Sequence, residues 1–116
     1  MGNHRKEERK KIMSFTPVYD LDKNTLLGYI GDLTLQGALV IGEKPVEVKE
    51  QTAFAIDFPE TPDFPARRMK ILARVAWSRH ESDAQYYDTG IEFQDLSEQN
   101  KEMLEAILAR YQYRRT

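Results

Sequence analysis

The chain has 116 residues, 41% hydrophobic and 31% charged, the size and mix of one ordinary globular domain. A formal net charge of −2 argues against a dedicated binder of polymeric nucleic acid, and the absence of cysteine excludes disulfide scaffolds, thiolate zinc sites and cysteine nucleophiles. Two histidines, His4 and His80, cannot make a His-rich metal centre, no apolar run nears the roughly 18 residues of a bilayer span, and no signal peptide opens the chain, so it reads as soluble and cytoplasmic.

Residues 1–11 hold Arg5, Lys6, Arg9, Lys10 and Lys11 against Glu7 and Glu8. This basic arm precedes a body, residues 12–116, that is acidic in balance. It has too little apolar surface to pack, so the arm is expected to be mobile, as a solvated tail or as an arm that closes on an anion. Met13, Phe15 and Tyr19 mark a first strand, where Pro17 suggests an edge or a bulge. Asp20 to Asn24 is a turn by Asx chemistry. Thr25 to Leu33 resumes as a strand through Gly28 and Gly31, and Ala38 to Ile41 is another. Gln51 to Phe58 alternates, with Thr52, Phe54, Ile56 and Phe58 on one face.

Pro59 to Pro65, with three prolines, is an irregular connection. Met69, Ile71, Ala73, Val75 and Trp77 then share a face at period two, with Lys70 and Arg74 opposite. Tyr87 to Phe93 is the last strand, with Ile91 and Phe93 inward. Short strands at this spacing give a sandwich or a small barrel, and closure into a barrel removes exposed edges. Ser97 is an N-cap candidate. Met103, Leu104, Ile107, Leu108 and Tyr111 recur at helical spacing, which predicts a helix from about Glu98 to about Tyr111, its apolar stripe on the barrel. The expected fold is therefore all-β with a terminal helix. Tyr113, Arg114 and Arg115 read as a frayed end.

Catalysis finds little support. His80 lies beside Glu81-Ser82-Asp83 without a nucleophile elbow, Asp20 and Asp22 are explained by turn chemistry, and no phosphate-cradling glycine loop is present. The chain reads as a non-enzyme with no catalytic residues. Anion binding is better supported. Arg5 and Arg9 are four apart, so a helical or turn-like conformation puts both guanidinium forks on one side. A fork bonds phosphate bidentately and also fits the O6/N7 edge of guanine. The second constellation runs from Gly31 to Leu39. Asp32 and Thr34 point the same way if the strand continues, and a carboxylate beside a hydroxyl suits the N1–H and N2–H edge of guanine. Gly37 allows a positive φ or close approach of a ligand to the main chain.

Together these pieces resemble the PilZ family of bacterial cyclic di-GMP receptors. The family's Arg-x-x-x-Arg motif is matched by Arg5-Lys6-Glu7-Glu8-Arg9. Its Asp/Asn-x-Ser-x-x-Gly motif is matched by Asp32-Leu33-Thr34-Leu35-Gln36-Gly37, with Thr34 in the serine position. Ala73 to Trp77, Gly90 to Phe93 and the closing helix continue the likeness. The resemblance implies a six-stranded antiparallel barrel with a C-terminal α-helix. It implies that Arg5 and Arg9 bind phosphates and guanine, that Asp32, Thr34 and Gly37 line the guanine site, and that Lys6 and Lys10 add field. Arg74 has a secondary phosphate role in this reading, as does Arg79. Trp77 is read as core, or as a ring that reaches the surface near Asp32 and stacks on a guanine. The ligand is cyclic di-GMP, no cofactor or metal is implied, and the signal passes to a downstream protein partner through closure of the arm. Two alternatives stand beside this reading. One is a PilZ-like adaptor without nucleotide binding, acting through a protein partner in pilus or motility control. The other is a small barrel for single-stranded nucleic acid, which the acidic body disfavours.

Overall fold

A computed structural model of the chain describes residues 10–11, 16–80 and 85–112. Its elements are β1 (Lys10–Lys11), β2 (Pro17–Asp20), β3 (Thr25–Leu33), β4 (Gly37–Gly42), β5 (Lys49–Phe58), β6 (Arg67–His80), β7 (Tyr87–Gln94), α1 (Glu98–Arg110) and β8 (Tyr111–Gln112). Six of them close into an antiparallel barrel in the order β2-β3-β4-β7-β6-β5. Closure follows from the pattern, because a strand with one apolar face has nowhere to hide its unpaired edge except against another strand. Val18, Val40, Phe54, Ile56, Met69, Val75 and Ile91 fill the interior.

The turn after β2 is the Asx turn that its residues predict. Asp20 Oδ1 accepts the amides of Asp22 (2.8 Å) and Lys23 (3.2 Å). Thr52 donates its hydroxyl proton to Asp22 Oδ2 at 2.8 Å and ties the turn to β5. Pro17 opens β2 and a register shift follows between Val18 and Tyr19, so the expected irregularity takes the form of a bulge in a closed sheet. Met13 and Phe15 lie outside the described residues, as do Tyr113, Arg114 and Arg115.

Ser97 caps α1 by accepting the Asn100 amide at 3.0 Å, and Leu104, Ile107 and Tyr111 are buried at the helix–barrel contact. The last two residues of the arm form β1, which pairs in parallel with β8: Lys10 with Tyr111 and Lys11 with Gln112. Arg5, Lys6 and Arg9 lie outside the described residues.

The strand β6 departs from the sequence reading at one residue. Met69, Ile71, Ala73 and Val75 face the core, whereas Trp77 does not: 39% of its surface is accessible. A register shift between Val75 and Trp77 inserts Ala76 as an extra residue against β7. One extra residue inverts every later side chain of a period-two element, and the ring leaves the core face.

Phe54 is inaccessible and Leu72, in the paired strand, is 40% exposed. Urea unfolding should therefore find Phe54→Ala destabilised by about 3–5 kcal/mol and Leu72→Ala by roughly 0.5 kcal/mol or less.

Candidate functional site

Two bulges on neighbouring strand pairs shape one outward concavity. Gly31 is the extra residue between Ile30 and Asp32 in the β3–β4 pairing, as Ala76 is between Val75 and Trp77 in the β6–β7 pairing. The register then runs straight across four strands. Asp32 pairs with Leu39, Leu39 with Gly90, and Gly90 with Trp77. The adjoining row of Leu33, Ala38, Ile91 and Val75 turns inward. Asp32 and Trp77 thus stand on the same outer row, three strand spacings or about 14 Å apart at the backbone.

Leu39 and Gly90 stand between them in that row, and Gly37, two residues before Leu39 on β4, is a second position without a side chain. A Cβ on Gly90 would come within 2.5 Å of Trp77 Cε2, so the indole lies over this glycine. A Cβ on Gly37 would sit 2.1 Å from the Ile91 carbonyl oxygen. Gly37 has no positive φ; close approach of β7, not a left-handed backbone, calls for glycine there. The concavity has a volume of about 310 Å³, and Asp32, Thr34, Gly37, Leu39, Trp77 and Glu92 are among its lining residues.

Four of the anticipated residues therefore come together: Asp32, Thr34, Gly37 and Trp77. No described residue hydrogen-bonds or pairs with the Asp32 carboxylate. Thr34 behaves differently. The strand β3 ends at Leu33, so Thr34 does not continue the face of Asp32 and instead opens a turn. Its hydroxyl accepts the amides of Gln36 (3.1 Å) and Gly37 (3.3 Å) and donates to the Gly37 carbonyl (3.4 Å). A hydroxyl has one proton and two lone pairs, and the turn uses all three. Thr34 shapes the wall of the concavity by holding its loop.

Arg74 faces outward as expected, but Glu92 occupies it. Arg74 Nε donates to Glu92 Oε1 at 2.8 Å, and Glu50 adds a longer contact at 4.0 Å. The hydrogen bond to Glu92, followed by that residue's charge, raises the Arg74 pKa above its ordinary value. Arg79 places its guanidinium 4.8 Å from the centroid of the Trp77 ring. Lys10 has a described backbone in β1, and the arm's arginines join the chain upstream of it. Lys11 and Thr16 are five residues apart, so the ladder with β8 begins within about 18 Å of Thr16. The Thr16 carbonyl accepts the amide of Ile30, beside the Gly31 bulge.

Gly90 and Glu92 went unnoticed as site residues in the sequence. A glycine inside an otherwise regular strand is the signal that marks the first, since it flags close approach of another group. Among the described residues no cluster of three or more His, Asp or Glu side chains could hold a metal, and no helix is long and apolar enough to cross a membrane.

A family model described as the PilZ domain matches residues 3–110, which takes in both motifs, the whole barrel and α1 to its last residue. Searches of curated proteins and of solved structures gave no significant match.

The two glycines of the floor should respond differently to a methyl group. Gly37→Ala drives Cβ into backbone and is expected to cost about 1–3 kcal/mol in urea unfolding. Gly90→Ala meets a side chain that can swing away, so its smaller loss of stability should come with a red shift of Trp77 emission.

Proposed function

Because the chain belongs to the PilZ domain family, whose members generally bind cyclic di-GMP, we propose that it is a non-enzymatic receptor for this second messenger. PilZ domains are receptor and adaptor modules rather than enzymes. The observation that carries the reading is the concavity that brings the Asp32 carboxylate, engaged by no described residue, together with Gly37, Gly90 and the exposed Trp77 ring. In this reading Asp32 accepts the N1–H and N2–H of a guanine laid beside Gly37, and the Trp77 indole, which covers Gly90, bounds the site on its far side. Arg5 and Arg9 supply what the barrel lacks. Their forks engage the phosphates and the O6/N7 edge of guanine, and Lys6 and Lys10 add positive field.

Thr34 contributes by holding the Asp32–Gly37 loop, which is why threonine serves in a serine position: the extra methyl leaves the turn-forming hydroxyl intact. Arg74 reaches a phosphate only by leaving Glu92, so it ranks behind the arm arginines, and Arg79 is the nearer cation to the ring. Drawing the arm onto the barrel orders residues that cost about 1–2 kcal/mol each in backbone entropy. Closure then occurs when ligand contacts offset that cost, and the changed arm is the signal that a protein partner reads.

Calorimetric titration with cyclic di-GMP, with GTP and cyclic di-AMP as controls, should give saturable binding at micromolar or tighter Kd, roughly −8 kcal/mol. Arg9→Ala and Asp32→Ala should each weaken it by about 1.5–3 kcal/mol, and Arg9→Lys should also weaken it, since lysine keeps the charge and loses the fork. Thr34→Ser should bind as the parent does. Saturating ligand should slow trypsin cleavage after Lys6 and Arg9. A flat titration of the folded protein would refute the receptor reading and leave the adaptor.

A further inference from the structure

A second hollow lies between the Pro59–Pro65 connection and α1. It measures about 280 Å³, and Phe58, Phe64, Met103, Ile107 and Tyr111 give it an apolar lining. Arg67, on its rim, and Trp77 are ten positions apart on β6, about 30 Å of strand, so this is not the glycine-floored site.

Its walls are fixed in place. The Thr61 amide donates to the Phe64 carbonyl at 2.8 Å and the Phe64 amide to Thr61 Oγ1 at 3.0 Å, which closes a tight turn inside the connection. The Tyr111 hydroxyl donates to Asp63 Oδ2 at 2.7 Å, Arg110 Nη1 to Asp63 Oδ1 at 3.2 Å, and the Phe64 and Tyr111 rings meet edge-on with centroids 6.3 Å apart. Asp63 therefore latches the connection to the end of the helix. A groove held open this way needs little ordering when something enters it.

The rim carries both signs of charge. Arg67 stands at the start of β6 and Glu102 on α1; both are exposed, and neither forms an ion pair with a described residue. The Asp63 carboxylate is already engaged. We propose that the groove docks a peptide segment of a partner protein, which seats one large apolar side chain in the hollow, with an acidic residue toward Arg67 and a basic residue toward Glu102. The paired charges select the occupant. A fatty acid satisfies Arg67 but brings nothing to Glu102, whereas a peptide supplies both charges, and its backbone supplies partners for Gln99 and Thr61, which also line the groove.

The test is selection from a random-peptide display library on the full chain, with Ala106→Gln as counter-selection. Ala106 lines the groove and is exposed, so glutamine fills the space and keeps the helix. Enriched peptides should carry an aromatic or large aliphatic anchor between an acid and a base, and should bind Ala106→Gln poorly at an unchanged unfolding temperature. Arg67→Glu should weaken them about threefold to fivefold. The double swap Arg67→Glu with Glu102→Arg should restore binding to a peptide whose two charges are exchanged. No enrichment, binding indifferent to Ala106→Gln or to the charges, or displacement by decanoate would overturn the proposal. So would sedimentation showing self-association that Ala106→Gln abolishes, since the occupant is then a second copy. A parallel cyclic di-GMP titration of Ala106→Gln should match the parent, which separates failure here from failure of the receptor reading.

Discussion

Strand register is the constraint on which the candidate ligand site depends. In a sheet the side chains alternate with period two, so a single inserted residue exchanges inside for outside from that point onward. The chain inserts one residue at Gly31 and another at Ala76. Without the first, the strand that carries Ile30 inward would carry Asp32 inward too, and burying an unpartnered carboxylate costs several kcal/mol. Without the second, Trp77 would stay in line with Val75 and the interior would have to hold a further large ring beside Phe54 and Phe58. Both slips resolve in the same register row, so the two displaced residues arrive on the same outer surface.

What lies between them follows from the same geometry. A row of outward side chains would ordinarily fill the space between Asp32 and Trp77. Here Leu39 is the one side chain between them: Gly90 receives the indole, and Gly37, two residues before Leu39 on β4, receives the backbone of β7. The loop that closes this surface is held by the Thr34 hydroxyl, which gathers the amides of Gln36 and Gly37, and by backbone bonds from Thr34 to Gly37 and from Phe93 to Gln36. The motif thus divides its labour: Asp32 is engaged by no described residue, the Thr34 hydroxyl is fully engaged, and Gly37 has no side chain at all.

The parts of this arrangement that sequence reveals are those with a local cause. Alternation in Gln51 to Phe58, the Asx turn at Asp20 and the Ser97 cap each depend on neighbours a few residues away, and each is found where its residues predict. Asp32, Thr34 and Gly37 were recognisable as a constellation for the same reason. For Trp77 the sequence leaves core and surface both open, because a bulge is a property of two strands at once and nothing in Val75-Ala76-Trp77 by itself records the partner's register. The strand end at Leu33 is where the sequence places it, so the condition under which Thr34 would share the face of Asp32, a strand that continues, is not met. The β1–β8 ladder was invisible for a different reason: Lys10 and Lys11 have no apolar pattern, and their pairing with Tyr111 and Gln112 uses backbone groups that every residue has.

That ladder matters for how charge is distributed. The basic residues of the arm would gain little from a distant acidic body, because exposed charges more than about 8–10 Å apart are largely screened at physiological salt. Two backbone pairings fix the root of the arm next to the end of α1, and Lys11 is tethered five residues from Thr16, whose carbonyl holds the strand that carries the Gly31 bulge. The root of the arm rests on Tyr111, the same residue whose hydroxyl grips Asp63 and whose ring lines the apolar groove. β1 and the groove therefore meet at one residue, β1 through the backbone of Tyr111 and the groove through its side chain.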